Sequence, residues 1–240
     1  MIVNEFYDPG EQRGNKVKDL FSRIAPRYDL VNDLQSFGLH RYWKRRLVAL
    51  ARTGPNDVAL DVCCGTGDLA LLLSDRRARV IGADFTAEML AVACDRSREM
   101  LPDAPQFVQA DALSLPFPDE SFDVVTVAYG LRNLADVKLG LREMKRVAKP
   151  GARVLVLDFG KPDNALWRSL YFTYLKAFVP VLGRVFCGSS SAYAYILESL
   201  KHYPAQRGVA ALMTELGMTN IGIVNLLGGV MSINCADKPK

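Results

Sequence analysis

The sequence predicts an α/β domain, a mostly parallel sheet with helices on both faces and an antiparallel hairpin at the C-terminus. Three observations lead there. Between Val58 and Asp158, five short apolar runs alternate with helical patterns, a rhythm that builds parallel sheets. A glycine-rich turn, Gly65-Thr66-Gly67, joins the first run to the first helix. Near the end, two apolar runs are joined by the short turn Leu227-Gly228-Gly229, which predicts a hairpin.

In order, Val58 to Val62 reads as a buried strand and Asp68 to Ser74 as the helix after it. Arg79 to Ala83 is a second strand. Thr86 to Met100 is a second helix, with Thr86 able to cap it and Glu88 in its first turn. Gln106 to Gln109 and Phe122 to Ala128 are the next strands, followed by a helix from Asp136 to Ala148. Lys149-Pro150-Gly151 is a stop, and Arg153 to Asp158 a fifth strand. Pro204 to Leu216 is helical and Gly217 ends it; Met218 to Leu226 and Val230 to Ala236 are the hairpin strands. Two stretches break the rhythm. Before Val58 lie about two helices, split near Ser36-Phe37-Gly38. After Asp158 comes a segment rich in aromatic and small residues. The expected organisation is one domain: a helical cover (1–57), a ligand-binding core (58–158), a helical lid (159–204), and a closing helix with hairpin (205–240).

Composition narrows the class. Half of the 240 residues are apolar and 23% are charged, which excludes a disordered chain, a collagen-like chain and a small disulfide scaffold. The net charge of +4 is too weak to argue for nucleic acid. Five cysteines without a CxxC spacing, and two histidines, give no zinc set and no metal expectation. The adjacent Cys63 and Cys64 are expected to pack against the sheet as thiols. Met1 to Asn15 is polar, with no signal-peptide core. The nearest approach to a spanning segment, Phe172 to Phe186, carries Lys176, Pro180 and Arg184. The expected location is cytoplasmic.

The acids around the glycine turn indicate the ligand. Gly65 and Gly67 allow a tight turn and close approach of a ligand. Asp84 ends the next strand, seventeen residues after Gly67, where a carboxylate accepts both hydroxyls of a ribose. A helix N-cap is the plainer reading of Asp84. Asp111 and Ala112 follow the third strand on the same sheet edge, placed to hold an adenine amine. No lysine follows the glycines, which excludes a P-loop, and Ala70 stands where a dinucleotide fold has its third glycine. Asp61 and Asp68 would repel a pyrophosphate but suit a cation. S-adenosylmethionine, a sulfonium with amine, ribose and adenine and no phosphate, fits better than NAD.

These residues resemble a class I S-adenosylmethionine-dependent methyltransferase with a Rossmann-like sheet. The more specific resemblance is to the quinone C-methyltransferases of menaquinone and ubiquinone biosynthesis. It rests on Val17 to Asp29, on Asn32-Asp33-Leu34 with Ser36 to Arg41 and Trp43-Lys44, on Gly65 to Leu69, and on Tyr129-Gly130-Leu131-Arg132-Asn133. The likeness runs from Val17 to the C-terminus. It implies that Gly65, Thr66 and Gly67 line the methionine part of the cofactor, with Asp61 beside them. Asp84 and Phe85 hold the ribose side, and Asp111, Ala112 and Ala128 frame the rest. Tyr28 and Asn32 close over the cofactor from the cover. Arg132 and Asn133 face the acceptor as catalytic residues.

The implied reaction is methylation of a ring carbon of a prenylated quinol, demethylmenaquinol first and a polyprenyl benzoquinol as the alternative. Cys63-Cys64, Asp111 and Ala128, which depart from the residues common in ubiquinone-forming relatives, favour the naphthoquinol. Arg132 stays protonated, so it suits a phenolate better than the role of base. His202 has the right pKa for a base, but nothing in the sequence ties it to the site. The loop after the fourth strand lacks the Pro-Pro-Tyr/Phe pattern of amine methyltransferases, and no nucleic-acid partner is expected. Trp167 to Phe186 reads both as lid core and as an apolar channel for a prenyl tail. Arg41 to Arg46 reads as a solvated helix face or as contact with lipid headgroups, so peripheral membrane contact stays open, as does a homodimer. A scaffold that binds S-adenosylmethionine without turnover is the non-enzymatic alternative.

Overall fold

The computed structural model describes residues 13–25, 28–76, 78–98, 104–187 and 191–240. The expectations for residues 1–12, for Pro26 and Arg27, and for the end of the second core helix at 99–100 lie outside the described residues. So do those for the side chains of Phe178 and Phe186.

One seven-stranded sheet carries the fold, in the order β3-β2-β1-β4-β5-β7-β6. Its strands are β1 (Val58–Val62), β2 (Arg79–Asp84), β3 (Gln106–Gln109), β4 (Phe122–Ala128), β5 (Ala148–Phe159), β6 (Thr219–Leu226) and β7 (Met231–Asp237). β1 to β5 pair in parallel; β7 runs antiparallel between β5 and β6. The strand order reverses between β1 and β4, and in open wound sheets ligands bind at such a switch point, beyond the carboxyl ends of the strands. The registers Val62↔Ala83 and Val62↔Val127 bring the ends of β1, β2 and β4 level, so the loops after them share one rim.

Helices α4 (Asp68–Ser74), α5 (Ala87–Ser97), α6 (Val137–Val147) and α9 (Ala205–Glu215) connect the strands. The stop at Lys149-Pro150-Gly151 ends α6 at Val147, but β5 begins at once, because Ala148 pairs with Phe122. Thr86 holds the N-cap position of α5 without a side-chain cap. Its own N–H is taken by Asp84 Oδ1 at 2.9 Å, which ties the strand end to the helix. Asp136 caps α6 through the N–H of Leu139 at 2.9 Å.

The N-terminal cover has three helices where about two were expected: α1 (Arg13–Ile24), α2 (Tyr28–Ser36) and α3 (Leu39–Ala51). The added break falls at Pro26 in the sequence, since a proline disfavours helix in the residue before it. The second falls at Phe37 and Gly38, both with positive φ. Trp43, Leu47, Val48 and Ala51 of α3 are buried in the core, and full burial of one such side chain contributes about 1.5–3 kcal/mol. α1 reaches the far side of the rim: Ser22 Oγ donates to Glu88 at 2.9 Å and Arg13 donates to the carbonyl of Arg132. The lid is two helices, α7 (Ala165–Cys187) and α8 (Ser191–His202); Tyr174 of α7 donates to the Gln35 carbonyl of α2 at 3.0 Å.

Candidate active site

The turn after β1 is built from unusual backbone. Cys63, Gly65 and Gly67 all have positive φ, and a Cβ on Gly67 would lie 3.0 Å from the Phe107 ring. The turn wraps around Asp84, whose Oδ2 accepts the Gly65 N–H at 2.8 Å. Burial pushes the Asp84 carboxyl up, and the N–H groups of Thr86 and Gly65 pull against it. Asp84 is therefore a brace between turn and helix as well as an acid on the rim.

A cavity of about 130 Å³ opens beside this brace. Of the residues expected to hold a cofactor, Tyr28, Gly65, Asp84, Phe85, Asp111, Ala112 and Ala128 line it. Asn133, expected to face the acceptor, lines it as well. Four others stand elsewhere. Asp61 is buried in β1, where Thr126 Oγ1 donates to it at 2.9 Å; burial pushes its carboxyl up to about 7. Thr66 is buried and donates to Asp29 Oδ1 at 2.8 Å. Gly67 shapes the turn without lining the cavity. Asn32 lines a second, larger cavity.

That second cavity, about 400 Å³, lies between cover and lid. Its wall is largely apolar, with Trp43, Phe159, Leu170 and Leu175, and Arg132 brings it a permanent charge. The two cavities meet at Phe21, Tyr28 and Tyr129. Tyr129, directly after β4, has φ 62, a left-handed conformation that is costly for a bulky residue and concentrates at functional sites. The reversal lets a 3-10 turn, Leu131–Asn133, follow at once. Arg132 is held by Asp158 at the end of β5 and lies 4.7 Å from the centre of the Phe159 ring. Asn133 Nδ2 donates to the Tyr129 carbonyl, and its Oδ1 accepts from Tyr195 of α8 at 3.1 Å. Burial raises the Tyr28 phenol to about 12, outweighing the pull of the Asn32 amide.

A partly buried ionic latch ties the cover to the glycine turn. Lys44 of α3 reaches Asp68 at 2.8 Å, and Arg96 of α5 bonds Asp68, Asp29 and the Thr66 carbonyl. Asp68, expected to suit a cationic ligand, is thus neutralised from within the fold. Burial pushes its carboxyl up, but Lys44 and Arg96 outweigh burial and lower it to about 2. His202 is exposed at the end of α8, 3.9 Å from Glu198, and lines neither cavity.

Sequence reasoning misses Asp158, Lys44 and Asp29 as site residues, and Tyr195 as a member of the lid. Asp158 carries the same signal as Asp84, an acid closing a parallel strand. Among the described residues no group of three or more His, Cys, Asp or Glu is placed to hold a metal, and no helix is long and apolar enough to cross a membrane.

The comparisons agree with one another. The family model of the ubiE/COQ5 methyltransferases matches residues 9–238. The ubiquinone/menaquinone biosynthesis C-methyltransferase of Ectopseudomonas mendocina is 40% identical over 235 residues, 96% of this chain and 92% of the relative. That of Azotobacter vinelandii is also 40% identical, over 96% of this chain and 93% of its own. In fold, an S-adenosylmethionine-dependent methyltransferase of Thermotoga maritima superposes with a TM-score of 0.65 at 16% identity, covering 92% of this chain and 99% of that one. On the family match and the near full-length identity, this chain belongs to the ubiE/COQ5 methyltransferase family.

Proposed function

We propose that this enzyme, a methyltransferase of quinone biosynthesis using S-adenosylmethionine, methylates a ring carbon of a prenylated quinol, with demethylmenaquinol as its acceptor. One observation carries the reading: a small cavity at the glycine turn, with Asp84 and Asp111 in its wall, shares Phe21, Tyr28 and Tyr129 with a larger apolar cavity that has Arg132 in its wall.

The residues of the smaller cavity fit the cofactor. The Asp84 carboxylate suits ribose hydroxyls, Phe85 and Met89 give apolar faces for adenine, and Asp111 can accept from its amine. Bound there, S-adenosylmethionine supplies an electrophilic methyl group. The protein's own part is to bind, orient and stabilise charge. A quinol carbon becomes nucleophilic when a ring hydroxyl loses its proton, and the Arg132 guanidinium stabilises the phenolate so formed. Such an electrostatic contribution is typically worth about 3–4 kcal/mol. Asn133, on the cofactor side, orients a water that takes the proton. The aromatic wall excludes bulk water, and alignment of carbon with methyl group contributes up to about 7–11 kcal/mol.

The apolar cavity suits a prenyl tail, since burial contributes about 0.8 kcal/mol per CH₂. Its lining includes exposed Phe37, Leu170 and Leu227, and Arg45 is exposed on the neighbouring helix α3. These favour peripheral contact with a lipid surface. Asp111, Ala128 and the Cys63-Cys64 pair favour the naphthoquinol over the benzoquinol.

Tritiated methyl transfer from S-adenosylmethionine to demethylmenaquinone, with and without a chemical reductant and beside a demethylated benzoquinone, tests the reading. Transfer to the naphthoquinone under reducing conditions alone is expected. Preference for the benzoquinone would move the enzyme to the other acceptor and keep the mechanism. Cofactor binding with no transfer to either would leave a scaffold.

A further inference from the structure

Three tyrosines of the lid line the apolar cavity: Tyr171 and Tyr174 on α7 and Tyr195 on α8. Two spend their hydroxyls inside the fold, Tyr174 on the Gln35 carbonyl and Tyr195 on Asn133 Oδ1. The third does not. Tyr171 is 5% exposed, yet its hydroxyl makes no hydrogen bond among the described residues. Buried hydroxyls are nearly always paired, so one left unpaired on a residue in a cavity wall asks what pairs with it. The Tyr171 ring is fixed by the Phe172 ring at 5.4 Å between centres, and its oxygen is close enough to Arg132 and Asp158 to feel both charges. The Tyr129 hydroxyl is also buried and unpaired, but Tyr129 lines both cavities, whereas Tyr171 lines the apolar one alone.

An apolar tail is held without direction, because the hydrophobic effect is non-directional. A single contact from Arg132 fixes one ring oxygen and leaves the ring free to turn about it. Fixing which carbon faces the cofactor takes a second directional contact on the acceptor side. We propose that Tyr171 supplies it, its phenol O–H donating a hydrogen bond to a ring oxygen of the quinol. The assignment rests on the quinol reading above and makes Tyr171 an acceptor-binding residue that selects the ring carbon.

The test pairs Tyr171→Phe with wild type, using Tyr174→Phe as a neighbouring control. Wild-type transfer to reduced demethylmenaquinone is measured first. Two prenylated naphthols, each lacking one of the two ring oxygens, then serve as competitive inhibitors. In Tyr171→Phe the KM for the quinol is expected to rise about tenfold, the loss of one well-made hydrogen bond. One naphthol is expected to bind more weakly and the other as in wild type, since the second lacks the oxygen that Tyr171 would hold. Affinity for S-adenosylhomocysteine stays unchanged. Without acceptor, the Tm of the variant stays level or rises, because the removed hydroxyl has no partner to lose. An active wild type with an unchanged KM in Tyr171→Phe, equal weakening of both naphthols, or a lowered Tm overturns the assignment and leaves the quinol reading intact. An active site that binds cofactor but methylates no quinol overturns both.

Discussion

Asp158 holds Arg132 at two points: Oδ2 accepts the Arg132 backbone N–H at 3.1 Å, and Oδ1 accepts the guanidinium at 3.1 Å. Both side chains are buried, at 1% and 7% exposure, so the pair leaves no stray charge in the core and a fixed direction for the guanidinium. Removing one partner of a buried pair strands the other and typically costs about 3–5 kcal/mol. Asp158→Asn should therefore lower stability by that order in urea denaturation and lower kcat together. Arg132→Ala should cost about 100-fold or more in kcat, on the scale of losing one electrostatic donor. It should leave S-adenosylhomocysteine affinity within a few-fold, because Arg132 lines the larger cavity, proposed for the acceptor, and not the smaller one, proposed for the cofactor. Cofactor affinity falling in step with rate, by calorimetry, would refute the division of labour.

The latch between cover and turn should be acid-labile. The Asp68 carboxyl is lowered to about 2 in the fold, against about 3.9 in an unfolded chain. A folded-state pKa below the unfolded one means that its contribution is full above about pH 4 and is lost as pH falls through about 2. Amide hydrogen exchange in α3 and α4 should accelerate over that window. Lys44→Met, which removes one of the two cations on Asp68, should start the loosening at higher pH and raise the KM for S-adenosylmethionine. A variant whose exchange profile matches wild type from pH 5 to pH 2 would show that the latch carries no load.

Asp61 works with the opposite sign. Burial pushes its carboxyl up to about 7, so the folded state binds this proton more tightly than the unfolded one. Stability therefore falls as pH rises from about 4 to about 7 and levels above that. Asp61→Asn keeps an acceptor for Thr126 and removes the titration. The variant should be more stable relative to wild type at pH 8 than at pH 5, read as urea midpoints at both values. An equal difference at the two pH values would mean that Asp61 is ionised throughout.

How far the sequence reached follows from which contacts are local. The strands were legible because each is a short apolar run between turn signals, and Asp84 and Asp111 because an acid just after a parallel strand projects from the sheet edge. Thr66 and Asn32 fall outside the lining of the smaller cavity for the converse reason. The Thr66 hydroxyl is engaged by Asp29, thirty-seven residues earlier in the chain, and the cavity that Asn32 lines is set by how α2 meets the lid. No local pattern encodes either contact. In the lid, aromatic residues at helical spacing read equally as core or channel. Only the fold separates Tyr174 and Tyr195, whose hydroxyls are paired, from Tyr171, whose hydroxyl is not.

Gly130 offers a test of the loop that carries Arg132. A Cβ there would stand 2.4 Å from Cys63 Cβ and 2.9 Å from Cys63 Sγ, across the rim between β1 and β4. Neither neighbour can retreat easily, since Cys63 and Tyr129 both hold positive φ. Gly130→Ala should therefore push the two turns apart, with losses of stability and of kcat. The obstacle is the side chain of Cys63, so Cys63→Gly should remove it and also relieve the left-handed strain at that position, worth about 1–2 kcal/mol. Cys63→Gly alone is expected to raise Tm, and the double variant Cys63→Gly/Gly130→Ala to recover most of what Gly130→Ala loses. Additive losses in this cycle, measured by thermal melting and methyl transfer on the same four proteins, would mean that the two turns do not press on each other and that Gly130 is needed for some other reason.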